Sequence, residues 1–244
     1  MKMTAAICLF LTCPGSALAQ GVQVETDHIF VFVSAGGAIE VDSLESVGFN
    51  VDPAVSRHTG VGTASRHVLF DNVYLELIWL DAEVSVSGNN TDFQRAARWR
   101  ESGASPFGLA LRRIGGEGDY GVPARSYAGE WMEPGTSIDN LKQSWEPDAF
   151  LVFIVPEYMA LPSWIDEVKR ESPEVLAHSN GARRLTGVEI HGPAEHSAAA
   201  ARSLQIPGLR VVEAGEPLLV LELDGGAQGV TQDLRPTLPL LIRR

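Results

Sequence analysis

Two distant stretches of the chain share one pattern of apolar and acidic residues. In the first, the apolar run 27–33 precedes Tyr74-Leu75-Glu76-Leu77, and in the second, the run 185–190 precedes Val220-Leu221-Glu222-Leu223. In both copies an apolar strand is followed by a helical stretch and then by strands that end in Leu-Glu-Leu. Such self-similarity indicates an internal duplication. We therefore expect two related modules, one in each half of the chain.

The repeated Leu-Glu-Leu sequence places a carboxylate between two large apolar residues on a strand. Because successive side chains of a strand point to opposite faces, Glu76 and Glu222 should face away from the side that their leucine neighbours bury. If that other side lines a hollow, the two carboxylates share one cleft. The pattern therefore predicts Glu76 and Glu222 as catalytic candidates.

The first residues resemble a secretory leader. A short positive start is followed by the apolar run 4–13 and by Ala17-Leu18-Ala19, which fits a small-residue cleavage site. We expect residues 1–19 to be a signal peptide and the mature protein to be exported, either periplasmic or secreted. No later stretch approaches the roughly 20 apolar residues that a bilayer-spanning helix needs.

Cysteine content and charge exclude several classes of function. Cys8 and Cys13 both lie in the expected leader, so the mature chain would have no disulfide, thiolate nucleophile or cysteine metal site. The formal net charge is −12, and phosphate recognition needs clustered Lys and Arg, so nucleic acid is not an expected partner. The sequence also contains no nucleophile elbow, phosphate loop or Rossmann fingerprint.

Hydrophobic patterning predicts a mixed fold. A strand at 28–33, a helix at 39–47 and a hairpin of strands at 65–70 and 73–80 follow one another, with Asp71-Asn72 as the hairpin turn. No low-complexity linker divides the chain, so we expect one domain over 20–244. The further expected strands are 107–112, 149–155, 185–190, 209–213 and 218–223, and the further expected helices are 89–101, 164–170 and 195–204.

Three segments together resemble the glyoxalase-like branch of the vicinal oxygen chelate superfamily, which also contains glyoxalase I, the extradiol dioxygenases and the bleomycin-resistance proteins. They are Asp27-His28, the segment 57–66 and Tyr74-Leu75-Glu76-Leu77. The resemblance implies an α+β fold in which two β-α-β-β-β modules form a curled mixed sheet around a cup. On this basis module one covers 24–113, an irregular inter-module insert covers 114–184 and module two covers 185–244.

The resemblance also implies a divalent metal, such as Zn, Fe, Mn or Ni, held by each module's first strand and by its late glutamate. His28, Glu76 and Glu222 match three of these ligand positions, and Leu185 stands at the fourth, where it cannot bind a metal. The ligand set is therefore incomplete, although three ligands drawn from histidines and carboxylates suffice for several metals. His67, expected on a strand beside Glu76, either replaces the missing ligand or lines the cup.

The expected substrate-binding residues are Arg57, His58, Arg66, His67 and Trp79. Arginine presents a planar fork to carboxylate groups, so the arginines suit an anionic substrate. The same residues also have plain structural interpretations. Arg66 and Glu76 could form a partly buried ion pair without catalysis, and the tryptophan could belong to the core.

Two functions remain open from the sequence. The first is a metal-dependent lyase, isomerase or dioxygenase that polarises vicinal oxygens of a small molecule and moves a proton with a spare carboxylate. The second is a metal-free exported protein that binds or sequesters a small molecule. Leu185 favours the second function, whereas the pairing of His28 with Glu76 favours the first. The resemblance further implies a homodimer, because cups of this type often pack in pairs.

Overall fold

The computed structural model describes residues 23–87, 91–115, 120–142, 146, 149–192 and 204–244. The expected signal peptide and most of the expected helix at 195–204 lie outside these residues. Within the described part of the chain, no helix has the length and apolar character needed to cross a membrane.

The first five elements form one β-α-β-β-β unit. Strand β1 pairs parallel to β4, β4 pairs antiparallel to β3, and β3 pairs antiparallel to β2. The two-residue turn at 71–72 connects β3 to β4, as its sequence predicts. The elements are β1 (Gln23–Phe32), α1 (Ala38–Ser46), β2 (Ser56–His58), β3 (Thr63–Leu69) and β4 (Tyr74–Leu80).

The next four strands repeat the strand order of the first unit. They are β5 (Phe107–Ile114), β6 (Ala124–Tyr127), β7 (Ile138–Leu141) and β8 (Leu151–Ile154). Strand β5 pairs antiparallel to β1 and parallel to β8, and β7 lies antiparallel to both β8 and β6. The resulting eight-stranded sheet has the order β2-β3-β4-β1-β5-β8-β7-β6. The predicted fold class, α+β with modules in a curled mixed sheet, is confirmed.

The position of the second half of this sheet corrects the expected module boundaries. Three of its strands, β6 to β8, lie within 114–184, which the sequence analysis assigned to an irregular insert. The described residues of 185–244, which are 185–192 and 204–244, instead form a separate five-stranded sheet of order β10-β9-β11-β13-β12. Its strands are β9 (Leu185–Gly192), β10 (Leu209–Glu213), β11 (Leu218–Leu223), β12 (Thr231–Asp233) and β13 (Leu240–Arg243).

The smaller sheet repeats the centre of the larger one. Strand β10 is parallel to β9, β9 is antiparallel to β11, β11 is parallel to β13, and β13 is antiparallel to β12. The run β4-β1-β5-β8-β7 has the same sequence of directions. By this comparison β11 corresponds to β5 and not to β4. The two Leu-Glu-Leu sequences therefore lie on strands that are not equivalent.

One continuous hydrophobic core joins the two sheets. Leu75 and Leu77 of β4 belong to it together with Leu221 and Leu223 of β11, and α1 packs into the same cluster. The side chain of Asn72 exchanges two hydrogen bonds with the backbone of Leu185, at 2.9 and 3.0 Å. These contacts tie the β3–β4 turn to the start of β9.

The opposite face of the larger sheet is covered at both ends. At one end, Leu161, Ile165 and Val175 pack against Leu69 and Tyr74. At the other end, side chains of the first helix after β4 pack against Phe30, Phe32 and Ile78. The helices that cover this face are α2 (Thr91–Ala97) and α4 (Ile165–Glu171), and the short helix α3 (Trp99–Ser102) follows α2 along the chain.

A buried histidine connects the cover to the larger sheet, and it should make stability depend on pH. The Nδ1 atom of His178 accepts a hydrogen bond from the Asn50 amide at 3.0 Å, and its Nε2 atom lies 3.0 Å from the Leu69 carbonyl oxygen. Burial lowers the pKa of His178 below its ordinary value, although the Leu69 carbonyl opposes this shift. The neutral ring is therefore the form that the fold accommodates.

We predict that His178 makes the protein less stable as the pH falls. The unfolded chain takes up this proton near pH 6.5, and the folded chain does so only at lower pH, so stability is lost as pH drops through that value. His178→Phe should cost about 1 to 3 kcal/mol at pH 7, because two polar backbone groups lose their partner. Between pH 7 and pH 5, the free energy of unfolding of the variant, measured in urea, should fall by less than that of wild type. Equal losses in both proteins would contradict the prediction.

A second prediction concerns the packing of Phe30 over β5. A Cβ atom on Gly108 would lie 1.7 Å from Cζ of Phe30, so this position has no room for a side chain. Gly108→Ala should lower the free energy of unfolding by about 1 to 3 kcal/mol through overpacking. The matched control is Gly192→Ala, at the end of β9, where a Cβ atom meets nothing within 4 Å. Denaturant unfolding should show the control within about 0.5 kcal/mol of wild type.

Candidate functional site

Strand pairing brings four polar side chains onto one face of the larger sheet. Glu76 of β4 lies directly opposite His67 of β3, and two residues earlier on β4 Tyr74 lies beside His28 of β1. His58 of β2 pairs with Thr63, which lies on the same face as His67 because the two are four residues apart on one strand. All four strands belong to the first β-α-β-β-β unit.

The three histidines surround the carboxylate of Glu76. Glu76 Oε2 lies 3.7 Å from His28 Nε2, and Glu76 Oε1 lies 3.5 Å from His58 Nε2 and 3.8 Å from His67 Nε2. The glutamate is only 6% exposed. We call His28, His58, His67 and Glu76 the histidine–glutamate cluster.

The electrostatics of the cluster keep its carboxylate ionised. Burial acts to raise the pKa of Glu76, but the interaction with His67 and the charges of His58 and His28 outweigh it and hold the pKa well below its ordinary value. Burial lowers the pKa of His58, partly offset by the charge of Glu76. The cluster thus combines one anionic oxygen donor with imidazole nitrogens.

Neighbouring polar groups orient the histidine rings. His28 Nδ1 lies 3.0 Å from Asp27 Oδ2, and His58 Nδ1 lies 2.8 Å from Thr63 Oγ1. The hydroxyl of Ser65 lies between the rings of His58 and His67, 3.4 Å from His58 Nε2 and 3.2 Å from His67 Nε2. With Nδ1 of His28 and His58 occupied, their Nε2 atoms face Glu76.

Aromatic rings enclose the cluster on the covered side. The ring of Tyr74 stacks on that of His28 with centroids 4.4 Å apart, and it meets the rings of His67 and Trp164 edge-on. Burial raises the pKa of Tyr74 well above its ordinary value, with the charges of Glu76 and Asp27 acting in the same direction. The phenol is therefore neutral and serves as an apolar wall with one hydroxyl group.

The other half of the sheet contributes an apolar surface to the same face. Ala110 pairs with His28 and Gly108 with Phe30, and these two pair in turn with Phe153 and Leu151 of β8. Phe153 also meets the ring of His28 edge-on, with centroids 6.0 Å apart. The face is thus polar on the β1–β4 half and apolar on the β5–β8 half.

Three of the predicted substrate-binding residues do not reach this face. Arg57, Arg66 and Trp79 each neighbour a residue of the site face along a strand, so they point to the opposite side. Arg57 is exposed and lies 3.7 Å from Asp81, and Trp79 lies beside Gly37 at the start of α1. His58 and His67, the other two predicted substrate-binding residues, do join Glu76.

The structure also does not bring Glu222 to the cluster, which corrects its assignment to a shared site. The leucines that flank Glu222 and those that flank Glu76 lie in the same core. Each glutamate therefore points away from that core, on opposite outer faces of the paired sheets. Glu222 instead contacts Thr186, whose hydroxyl lies 3.4 Å from its Oε1 atom.

Sequence reasoning missed the polar support behind His28. Asp27 is fully buried, and its Oδ1 atom accepts hydrogen bonds from Arg112 Nη1 at 3.1 Å and from the Leu161 amide at 2.8 Å. Two features of the sequence point to this support: Asp27 directly precedes His28, and Arg112 ends the apolar strand at 107–112. Neither feature shows by itself that the two residues meet.

The donor set suits a divalent ion in its chemistry. Three imidazoles and one carboxylate are ligands that Zn, Fe and Mn accept. Within the described residues, no three His, Cys, Asp or Glu side chains already surround one ion position. Neighbouring ligand atoms lie about 3.0 to 3.4 Å apart when each bond is about 2.1 Å, and the cluster's separations are 3.5 to 3.8 Å. The distances from Glu76 to the imidazoles exceed that spacing, so the described side chains offer suitable ligand types without forming a preassembled ion position.

The sheet of repeated four-strand units, with a histidine and a glutamate from adjacent strands on one face, defines a protein of the vicinal oxygen chelate type. The chain belongs to the glyoxalase-like domain family, whose model matches residues 26–205. The resemblance found in the sequence is therefore confirmed. A search of curated proteins finds no match.

Several solved structures resemble the chain at low identity. A hypothetical protein from Staphylococcus aureus is 11% identical, with 90% of this chain and 98% of that chain covered and a TM-score of 0.43. A xylose isomerase-like TIM barrel/4-hydroxyphenylpyruvate dioxygenase fusion protein is 11% identical, with 84% and 37% covered and a TM-score of 0.43. A mutant of 4-hydroxymandelate synthase from Streptomyces coelicolor is 14% identical, with 83% and 71% covered and a TM-score of 0.42.

Proposed function

We propose that this protein is a divalent-metal-dependent enzyme of the vicinal oxygen chelate type that acts on a small molecule, as a lyase, isomerase or dioxygenase. The observation that carries the proposal is the convergence of three imidazole Nε2 atoms on one buried, ionised carboxylate. A bound ion would act as a Lewis acid toward oxygen atoms of the substrate. His28 and Glu76 are its proposed ligands, and His58 and His67 replace the ligands that the second half of the sheet lacks.

The charge of the cluster supports an oxygen-rich substrate. Its ligand atoms carry a single negative charge, on Glu76, when the imidazoles are neutral. A divalent ion held there keeps a net positive charge, which favours an anionic or polarised oxygen of the substrate. His58, the most exposed imidazole of the cluster, is suited to move a proton when it does not hold the ion.

The apolar half of the face supports a substrate with a hydrocarbon or aromatic part. Leu151 and Phe153 are partly exposed there and lie within the same face as the cluster. An apolar group placed against them would set the oxygen atoms toward His28 and Glu76. The leader-like pattern at 1–19 supports an exported location for this activity.

A metal-free binding protein is the second candidate. It is favoured by the spacing of the cluster, since the described side chains do not yet surround one ion position. The β5–β8 half of the sheet also favours this candidate, because the residues that it places on the site face, such as Gly108 and Phe153, cannot bind a metal. In this case the face would hold the small molecule without chemistry.

Metal binding separates the two candidates. The wild-type protein should bind one Zn²⁺ or Mn²⁺ per chain with micromolar or tighter affinity, measured by titration calorimetry and by elemental analysis after dialysis. Substituting a residue that supports a metal ligand typically lowers metal affinity 10- to 100-fold, and removing the ligand itself should lower it at least as much. Glu76→Gln and His28→Ala should therefore each weaken binding of the ion by about 100-fold or more. Circular dichroism verifies that the variants remain folded.

The matched control is Glu222→Gln, because this glutamate has the same leucine neighbours and lies on the other sheet. It should bind the ion as wild type does. If the wild-type protein binds no divalent ion at micromolar concentration, the proposal of a metal-dependent enzyme is wrong and the metal-free binding protein is the remaining candidate. If Glu222→Gln lowered the affinity for the ion as much as Glu76→Gln does, the ion could not be assigned to the histidine–glutamate cluster.

A further inference from the structure

A fully buried carboxylate behind the cluster has contacts in three parts of the fold. Asp27 is 0% exposed, and its Oδ2 atom lies 3.0 Å from Nδ1 of His28. Its Oδ1 atom accepts hydrogen bonds from Arg112 on β5 and from the backbone amide of Leu161 in the cover. The carboxylate therefore links strand β1, the second half of the sheet and the covering segment.

The arginine that holds Asp27 is itself fixed by two further contacts. Arg112 Nε donates to Glu25 Oε1 at 2.7 Å, and Nη2 donates to the Asn72 carbonyl oxygen at 3.2 Å. A guanidinium group engaged on three sides has little freedom to release its partner. Asp27 consequently stays in one orientation, with Oδ2 directed at His28.

This orientation determines which nitrogen of His28 carries the proton. An ionised carboxylate can only accept hydrogen bonds, so the Nδ1 atom that faces it must be the donor. A neutral imidazole carries a single ring proton, and only Asp27 is close enough to accept it, at 3.0 Å against 3.7 Å from Nε2 to Glu76. The Nε2 atom is then left with a free lone pair. That Nε2 atom is the one that faces Glu76, and the stacked ring of Tyr74 fixes the plane in which it lies.

We propose that Asp27 is a positioning residue, which locks His28 in the Nδ1-protonated tautomer and presents Nε2 as a ready ligand or base. The assignment of the tautomer follows from the contacts of Asp27 alone. Its consequence for metal affinity rests on the proposed function. Asp27 touches no substrate in this role and acts only through His28.

The first test measures the tautomer in the metal-free wild-type protein. Long-range proton–nitrogen NMR at pH 8 should show the His28 proton on Nδ1 and a bare Nε2. His28→Gln serves to assign the signal. A His28 ring whose proton lies on Nε2 alone would overturn the proposal, and this measurement does not require that the protein bind a metal.

The second test uses Asp27→Asn, which keeps the shape of the side chain. Its amide oxygen should stay with Arg112 and the Leu161 amide, since both are donors, so the amide NH₂ group should face Nδ1 of His28. Nδ1 must then accept, and the proton moves to Nε2. The variant should show the switched tautomer in the same NMR experiment and about 10- to 100-fold weaker Zn²⁺ binding by calorimetry.

The matched control is Asp139→Asn, another mostly buried carboxylate that is paired with an arginine, Arg113, at 3.0 Å, but on β7. It should change neither the His28 tautomer nor the Zn²⁺ affinity. An Asp27→Asn protein with the wild-type tautomer and affinity would overturn the proposal. If wild type binds no Zn²⁺, the proposed function fails, and the tautomer measurements still decide the role of Asp27.

Discussion

Burying the carboxylate of Glu76 is unfavourable unless donors or positive charge compensate for the lost water. The inner face of the first β-α-β-β-β unit surrounds it with His28, His58 and His67, one from each of the other three strands. His67 compensates through a hydrogen bond, and His58 and His28 compensate through their charge when their rings are protonated. The register of those strands is therefore coupled to the site, because a slip by one residue would turn a histidine to the other face. The same constraint gives the site its chemistry, an ionised oxygen donor among imidazole nitrogens.

The two halves of the larger sheet share a strand order and differ in what they place on that face. The first half carries the polar cluster, and the second carries small and apolar residues at the paired positions. Gly108 leaves room for the ring of Phe30, which lies across the boundary between the halves. A symmetric topology thus supports an asymmetric site, with polar groups on one side and an apolar wall on the other. Such a division suits a small molecule that has both oxygen atoms and a hydrocarbon part.

The smaller sheet supports the site without contributing to it. It repeats the directions of the five central strands of the larger sheet and shares a single hydrophobic core with it. Its first strand is tied to the β3–β4 turn by Asn72, next to the strand that carries Glu76. Its outer face, where Glu222 lies, holds ordinary polar contacts such as the bond from Thr186 to the Glu222 backbone oxygen. The likeness of the two Leu-Glu-Leu sequences reflects two strands that each bury leucines in the same core.

The sequence alone determined the local features, because these depend on neighbours along the chain. The alternation in β1 and β4 predicted the strands and the direction of Glu76, and the resemblance paired it with His28. Only the tertiary structure decided which strands pair, since β6 and β7 are short and lie in a segment interrupted by prolines and tryptophans, and the predicted strand at 149–155 does not itself show its partner. Pairing across the sheet added His58 to the cluster, excluded Arg66 and Trp79, and placed Glu222 on the far side of the core. It also joined Asp27 to Arg112 across 85 residues of chain, a contact between two strands that no local pattern specifies.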